Sequence, residues 1–402
     1  MTTITDFPAI RPSFLLDFAN SGRVDPRISC VRASTATCCG PDGKRRTVAS
    51  NVPRIDYDPA TGKCLGLLVE EARTNHCIAP NNLTSSGAWI LEGACSAEYF
   101  AADGGYSVLS VTGATYTARP ASPSISTDLS MAISCEVKRT ATSQKVYVQR
   151  NGYVGSYLRV VYDFNTETVM LLKGGEAVSS GYGAVKLEDG WVRIWVAGSV
   201  RTTEISTNQQ ITLGEILPGQ SVAVRRFQME TGDFPTSYIP TAGTAVTRAA
   251  DLLYIDYTLP TVGAIVASVA GLASANTANA YLWSAANPAD TNADHAYTYF
   301  SGSNNRTNWW VNKGGVGQSG GNIAGRPLSI GMSFDATGKA AALAAGSLIA
   351  KDTTRPRDFP ANLSRLSLGR SISNNGFLGG CISRLAVYSG RITDAQLQRL
   401  TA

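Results

Sequence analysis

Histidine is nearly absent: the chain has two in 402 residues. A histidine-centred triad is therefore poorly supported. No Gly-x-Ser-x-Gly elbow is present, and the glycine-rich segment 314–321 lacks the lysine a nucleotide loop needs. Glutamate stops at Glu230, so the C-terminal part holds no pair of glutamates for glycoside hydrolysis, which commonly uses two carboxyl groups. Aspartates could substitute, but nothing marks a pair. Charge is sparse, at 16% of residues against roughly 25% in an average domain. The only basic tract, Lys44-Arg-Arg46, flanks a turn and reads as a solvated hairpin tip rather than a nucleic-acid contact. The longest apolar stretch, Val262 to Ala273, is too short to span a bilayer. Met1 to Asp6 has neither the basic start nor the apolar core of a secretory signal. The expectation is a soluble protein made in the cytosol, with no nucleic-acid partner and no membrane insertion. The eight cysteines have no metal-type spacing and read mostly as small buried apolar residues, with later pairing left open. No cofactor and no catalytic residue is expected.

What the chain does have is short apolar runs punctuated by turns. Leu65 to Val69 is an apolar run too short for a helix, ending abruptly in Glu70, Glu71 and Arg73. It reads as a buried strand whose charges mark the exit from the seam; a surface strand with a solvated acidic end is the alternative. Upstream, residues 14–75 read as successive hairpins, with Phe14–Phe18 and Arg27–Arg32 as strands and Gly40-Pro-Asp-Gly43 as a turn. So small a segment needs a partner surface, either the body or another protein. From Trp89 to Met229, and again after Asp251, regular short strands argue for two β-sandwiches of jelly-roll type. Ala340 to Lys351 reads as a hairpin about Ala345-Gly-Ser347 rather than an alanine-rich helix. Thr393-Asp-Ala-Gln396 is a capping box, flanked by Ile392 and Leu397 at staple positions, so one short helix closes the chain. The fold class expected is all-β: a hairpin arm (residues 1–75), a first sandwich (76–240) and a second (251–402).

Several blocks carry a resemblance. Leu16-Asp-Phe-Ala-Asn-Ser21, Asp25-Pro-Arg27, Arg32-Ala-Ser-Thr-Ala-Thr37, Pro53-Arg-Ile-Asp-Tyr-Asp-Pro59 and Gly66-Leu-Leu-Val-Glu-Glu-Ala-Arg-Thr-Asn75 are followed far downstream by Phe234-Pro-Thr-Ser-Tyr-Ile-Pro240 and Ala245-Val-Thr-Arg-Ala-Ala-Asp251. Together they resemble tailed-bacteriophage virion proteins of the head-spike, fibre or tail type. The resemblance implies a virion protein made in the host bacterial cytoplasm, an arm docked to other virion proteins, and a homotrimer. Candidate anchoring residues are then Leu16, Phe18, Arg27, Arg32, Arg54, Tyr57, Glu70, Glu71 and Arg73. The first sandwich looks like a carbohydrate-binding module, and Phe377–Tyr388 with Ile392–Leu397 resembles the end of laminin-G or concanavalin-like domains. Concanavalin-like glucanases carry Glu-x-Asp-x-x-Glu on one strand, which is missing here.

Candidate ligand sites are few. Tyr297, Tyr299, Asn308, Trp309 and Trp310, interleaved with Asn304 and Asn305, form the densest aromatic–amide cluster. Sugar faces stack on aromatic rings while amides read hydroxyls, so this cluster is the best glycan-site candidate. Trp309 and Trp310 point opposite ways on a strand, so one belongs to the core. Trp89, Trp191 and Trp195 could also stack on sugars, although a strand tryptophan is more often core. Asp290-Thr-Asn-Ala-Asp294 spaces oxygens like the start of a calcium loop, but His295 replaces the glycine and no acid closes the loop. A polar turn is the expected reading there, with His295 and Asp294 an ordinary loop pair and no metal site. The functional expectation is a non-enzymatic virion spike or fibre protein adhering to host-surface polysaccharide; a glycan-degrading tailspike depolymerase is the alternative.

Overall fold

The computed structural model describes residues 11–121, 129–152, 155–200, 211–214, 218–272, 279–302, 305–313, 316–324, 326, 328–334, 340–344, 347–352, 359–390 and 392–401. The chain is all-β, in multiple antiparallel sheets, and ends in the helix Asp394–Thr401. That helix is capped as its sequence dictates. Thr393 Oγ1 accepts from the Gln396 N–H at 3.3 Å, and Gln396 Oε1 accepts from the Thr393 N–H at 2.9 Å. Ile392 and Leu397 are buried with Tyr388 beneath it. A one-turn helix, Phe18–Ser21, was not expected; Gly22 ends it in a left-handed conformation.

The middle body is one ten-stranded sheet from Trp89 to Thr231 that curls until its ends face each other. Val146, Val148, Leu158 and Val160 pack there against Ile133, Val137, Ile194 and Val196. The C-terminal body is a sandwich of an eight-stranded and a seven-stranded sheet. The 340–351 segment forms the expected hairpin, Ala340–Ala344 with Ser347–Asp352, at the edge of the first.

The N-terminal segment is built into this second sandwich. Strand Gly380–Ser389 pairs along one half with Phe14–Asp17 and along the other with Cys64–Val69. Arg54–Tyr57 extends the same sheet, and Ser29–Val31 joins the opposite sheet against Leu252–Asp256. Phe14, Leu16, Phe18, Leu67 and Val69 all lie in its core. Two apolar strands too short to bury themselves thus find their partner surface in the chain's own last strand. Gly66, with φ +123°, permits this seam: a Cβ there would run into the Ile382 carbonyl.

Where the seam ends, charges go inward. Arg32 donates to Asp251 at 2.8 Å, and Arg54 donates to Asp251 at 2.5 Å and Glu70 at 2.9 Å. Glu70 also accepts from the N–H and the hydroxyl of Ser237, at 2.7 and 2.6 Å, and Arg248 lies 3.6 Å away. Arg32, Arg54, Glu70, Arg248 and Asp251 are all buried, so the solvated-end reading of Glu70 is excluded. Five of the separated sequence blocks therefore meet in one ionic junction between the N-terminal segment, the second sandwich and the start of its first strand.

The middle body is held to this junction by Ser237 and by Arg45, which pairs with the buried Glu136 at 2.5 Å. Arg45 is therefore not a solvated tip residue, whereas Lys44 and Arg46, the latter paired with Asp42, are exposed as expected. Arg225 and Arg226 complete the ring around Glu136 at 2.7 and 2.8 Å.

Candidate functional site

The strongest surface feature lies on the outer face of the seven-stranded sheet. Its order is Ser29–Val31, Leu252–Asp256, Arg365–Leu368, Ala280–Asn287, Asp290–Ser301, Arg306–Lys313 and Val316–Ala324. Strand alternation divides each segment between two faces. Ala296, Thr298, Phe300, Trp309 and Val311 are buried inward, while His295, Tyr297, Tyr299, Asn308, Trp310 and Asn312 face outward and are partly exposed.

Register brings the outward set together. Tyr281 pairs across with Tyr299, and Tyr299 with Asn308. Tyr297 pairs with Trp310, and His295 with Asn312. The rings follow: Tyr281 and Tyr299 stack at 5.4 Å, Tyr297 and Trp310 at 6.4 Å with planes 9° apart, and His295 and Tyr297 at 5.7 Å with planes 3° apart. Such a platform offers flat apolar ring faces beside amide donors and acceptors, the chemistry that holds a pyranose. Burial among the rings raises the Tyr297, Tyr281 and Tyr299 hydroxyls above their usual range, so at neutral pH they remain neutral hydrogen-bonding groups.

Of the residues expected from sequence, Tyr297, Tyr299, Asn308 and Trp310 are brought together here. Trp309 is not: it is 4% exposed and belongs to the core. Asn305 is exposed beyond the platform, and Asn304 lies outside the described residues. Tyr281 and Asn312 were missed, because only strand pairing shows them to be neighbours. His295 is not in a loop; Asp290–Ser301 is a continuous strand. The backbone over Asp290–Asp294 is therefore extended strand rather than the loop that a calcium site of this spacing is built on. Among the described residues no three His, Cys, Asp or Glu side chains converge as a metal site.

The other aromatic candidates are mostly structural. Trp89 is buried and donates to the Ala79 carbonyl at 2.7 Å. Trp191 is buried beneath the Arg225 guanidinium, 4.0 Å from its ring. Trp195 is half-buried. The anchoring candidates also turn inward. Leu16, Phe18, Arg32, Arg54, Glu70 and Arg73 are buried within the chain, leaving Arg27, Tyr57 and Glu71 at least partly accessible. All eight cysteines are free thiols. Burial pushes Cys38 up to about 11 and Cys39 to about 12, which leaves them unreactive at neutral pH.

A cavity of about 270 Å³ lies between the N-terminal hairpin and the middle body, lined by residues including Cys39, Arg45, Asp56, Glu70 and Arg193. Of its three carboxyl residues, Asp56, Glu70 and Glu188, the first two differ sharply. Burial lifts Asp56 to about 6, against a hydrogen bond from the Cys39 N–H. Burial would raise Glu70 too, but Arg248, Arg54 and Ser237 outweigh it and hold the group at about 2. An acid and an ionised partner resemble a hydrolase pair. However, both Glu70 oxygens already accept hydrogen bonds from Ser237 or Arg54, which leaves it poorly placed to activate water.

These shifts fix a pH profile. Glu136 behaves like Glu70: burial opposes its charge, and Arg45, Arg226 and Arg225 hold it at about 2. The stability contributed by these two carboxylates is present above their unfolded pKa of roughly 4.3 and is lost as pH falls toward 2. Asp56 acts oppositely, since its folded value is raised: its contribution is complete below roughly 3.9 and is lost as pH rises through 6. Unfolding midpoints measured by thermal denaturation are expected to peak between about pH 4 and 6. In Asp56→Asn the decline above pH 5 should disappear; a profile unchanged by that substitution would contradict the assignment.

No family profile and no curated protein matches the chain. Among solved structures it is similar to the CBM40 module of the Ruminococcus gnavus IT-sialidase bound to alpha2,6 sialyllactose. That match has 19% identity and a TM-score of 0.29, over 36% of this chain and 85% of the module. It is also similar to the leech intramolecular trans-sialidase, at 18% identity and TM-score 0.29, over 37% of this chain and 27% of that one. Domains LG4-5 of the mouse laminin alpha1 chain match at 10% identity and TM-score 0.21, over 80% and 88%. The site stands on its own geometry.

Proposed function

We propose that this chain is a non-enzymatic virion protein of a tailed bacteriophage, carried on a head or tail spike or fibre, that adheres to host-surface glycan. The aromatic platform of Tyr281, Tyr297, Tyr299 and Trp310, edged by Asn308 and Asn312, carries the adhesion reading. Support for the virion reading comes from the sequence blocks named above, five of which share the ionic junction. That junction is what a projecting appendage needs: it ties two β-bodies to each other without relying on disulfides. The proposed assembly is a homotrimer, in which several weak platforms on one particle gain avidity.

The test is to locate the protein on purified particles and to measure its retention on host-surface polysaccharide. Co-sedimentation with particles and retention without chain cleavage are the expected results. New reducing ends released from the polysaccharide would replace this reading with the depolymerase. Absence from particles would remove the virion assignment.

A further inference from the structure

Arg370 follows the strand Arg365–Leu368 and is buried, at 5% exposure. No carboxylate among the described residues pairs with it. Its Nη1 donates to the Ser371 carbonyl at 3.2 Å and to the Asn374 side chain, and its Nε finds no hydrogen-bond partner. Burial and the neighbouring Arg365 bring it down to about 10, so it is still charged at neutral pH. A buried guanidinium without a counter-charge is costly, and an anion brought beside it relieves that cost.

Arg370 lines a cavity of about 270 Å³ together with Tyr254, Ala286, Arg365, Ser367 and Asn374. Arg365 is positioned over the Tyr254 ring at 4.2 Å and pairs with Asp256 at 2.7 Å. The cavity opens on the same sheet face as the aromatic platform. Register places Tyr254, Ser367, Ser284, Tyr297 and Trp310 in one cross-strand row, and Asp256, Arg365, Ala286, His295 and Asn312 in the next. At about 4.8 Å per strand, Ser367 in the cavity wall lies only about 10 Å from Tyr297 on the platform.

We infer that this cavity receives the anionic group of an acidic polysaccharide whose neighbouring sugar lies on the aromatic platform, with Arg370 as the principal cation. The inference rests on the platform reading and adds its ligand class. A guanidinium fork matches a carboxylate or a sulfate in two-point geometry, and Ser367 and Asn374 supply further polar contacts at the rim.

The test is binding of the intact protein to a panel of matched neutral, carboxylate-bearing and sulfated oligosaccharides. Acidic members are expected to bind at least tenfold more tightly than their neutral counterparts, and carboxyl reduction of the best carboxylate ligand should remove that margin. Whether carboxylates or sulfates lead the ranking identifies the group. Arg370→Gln, checked for folding by its unfolding midpoint, should bring the acidic-to-neutral ratio within about twofold of unity, while Arg370→Lys should retain part of it. Equal binding of neutral and acidic members would overturn the inference and leave the platform reading intact. An acidic preference lost in Arg370→Gln but indifferent to Trp310→Ala would uphold the cavity and remove the platform. Binding of no member would overturn both.

Discussion

Replacing Arg54 by alanine is expected to lower the unfolding free energy by about 3–5 kcal/mol, as removal of one partner from a buried ionic cluster does. Arg54 is the hub of the junction: it donates to Asp251, to Glu70, to the Thr37 carbonyl and to the Ser237 hydroxyl. Without it Glu70 and Asp251 stay buried and keep only Arg32 and Arg248 as counter-charges. The penalty falls on two bodies at once, because Ser237 reaches the same carboxylate from the middle-body side. Arg27→Ala is the control. Arg27 pairs with Asp25 while its side chain is 55% exposed, and exposed pairs contribute about 0–1 kcal/mol. Chemical denaturation of both variants decides the matter. A loss under 1 kcal/mol for Arg54→Ala would mean that the junction does not hold the bodies together.

Trp310→Ala is expected to weaken glycan binding by at least tenfold, about 1.4 kcal/mol, with little change in stability. Trp310 is partly exposed and its ring lies parallel to Tyr297, so its removal takes away ligand-facing surface more than core. Its sequence neighbour should behave in the opposite way. Trp309→Ala removes a buried side chain from the sandwich core and is expected to cost about 3–5 kcal/mol in stability. Trp309→Phe is the sharper comparison. The Trp309 indole N–H is buried with no hydrogen-bond partner among the described residues, and phenylalanine removes that unsatisfied donor while keeping most of the apolar volume. Trp309→Phe should therefore fold well and bind normally. Binding measured by calorimetry on the three folded variants separates the roles. If Trp310→Ala binds as well as the unsubstituted protein, the platform is not the site.

Local sequence decided a good deal here. Thr393 and Gln396 specify the last helix by themselves, because a capping box closes within four residues. The hairpin at 340–352 and the buried run at Leu65–Val69 were equally legible, since alternation and turn residues act over short distances. The segregation of Trp309 from Trp310 onto opposite faces followed from the strand period, although which of them faced inward did not.

Tertiary structure decided everything that required two distant segments to meet. The charges after Val69 could equally have been a solvated end, and only the arrival of Asp251, Arg248 and Ser237 from more than 160 residues away turned them into a buried junction. Tyr281 became part of the platform, and Ser367 in the wall of the Arg370 cavity its neighbour, through cross-strand register. The physical reason is common to these cases. In a β-protein the neighbour on the same face belongs to another strand, so a residue's company depends on pairing energies summed over the whole sheet. The strand's own sequence determines which residues share a face, but not what lies beside them.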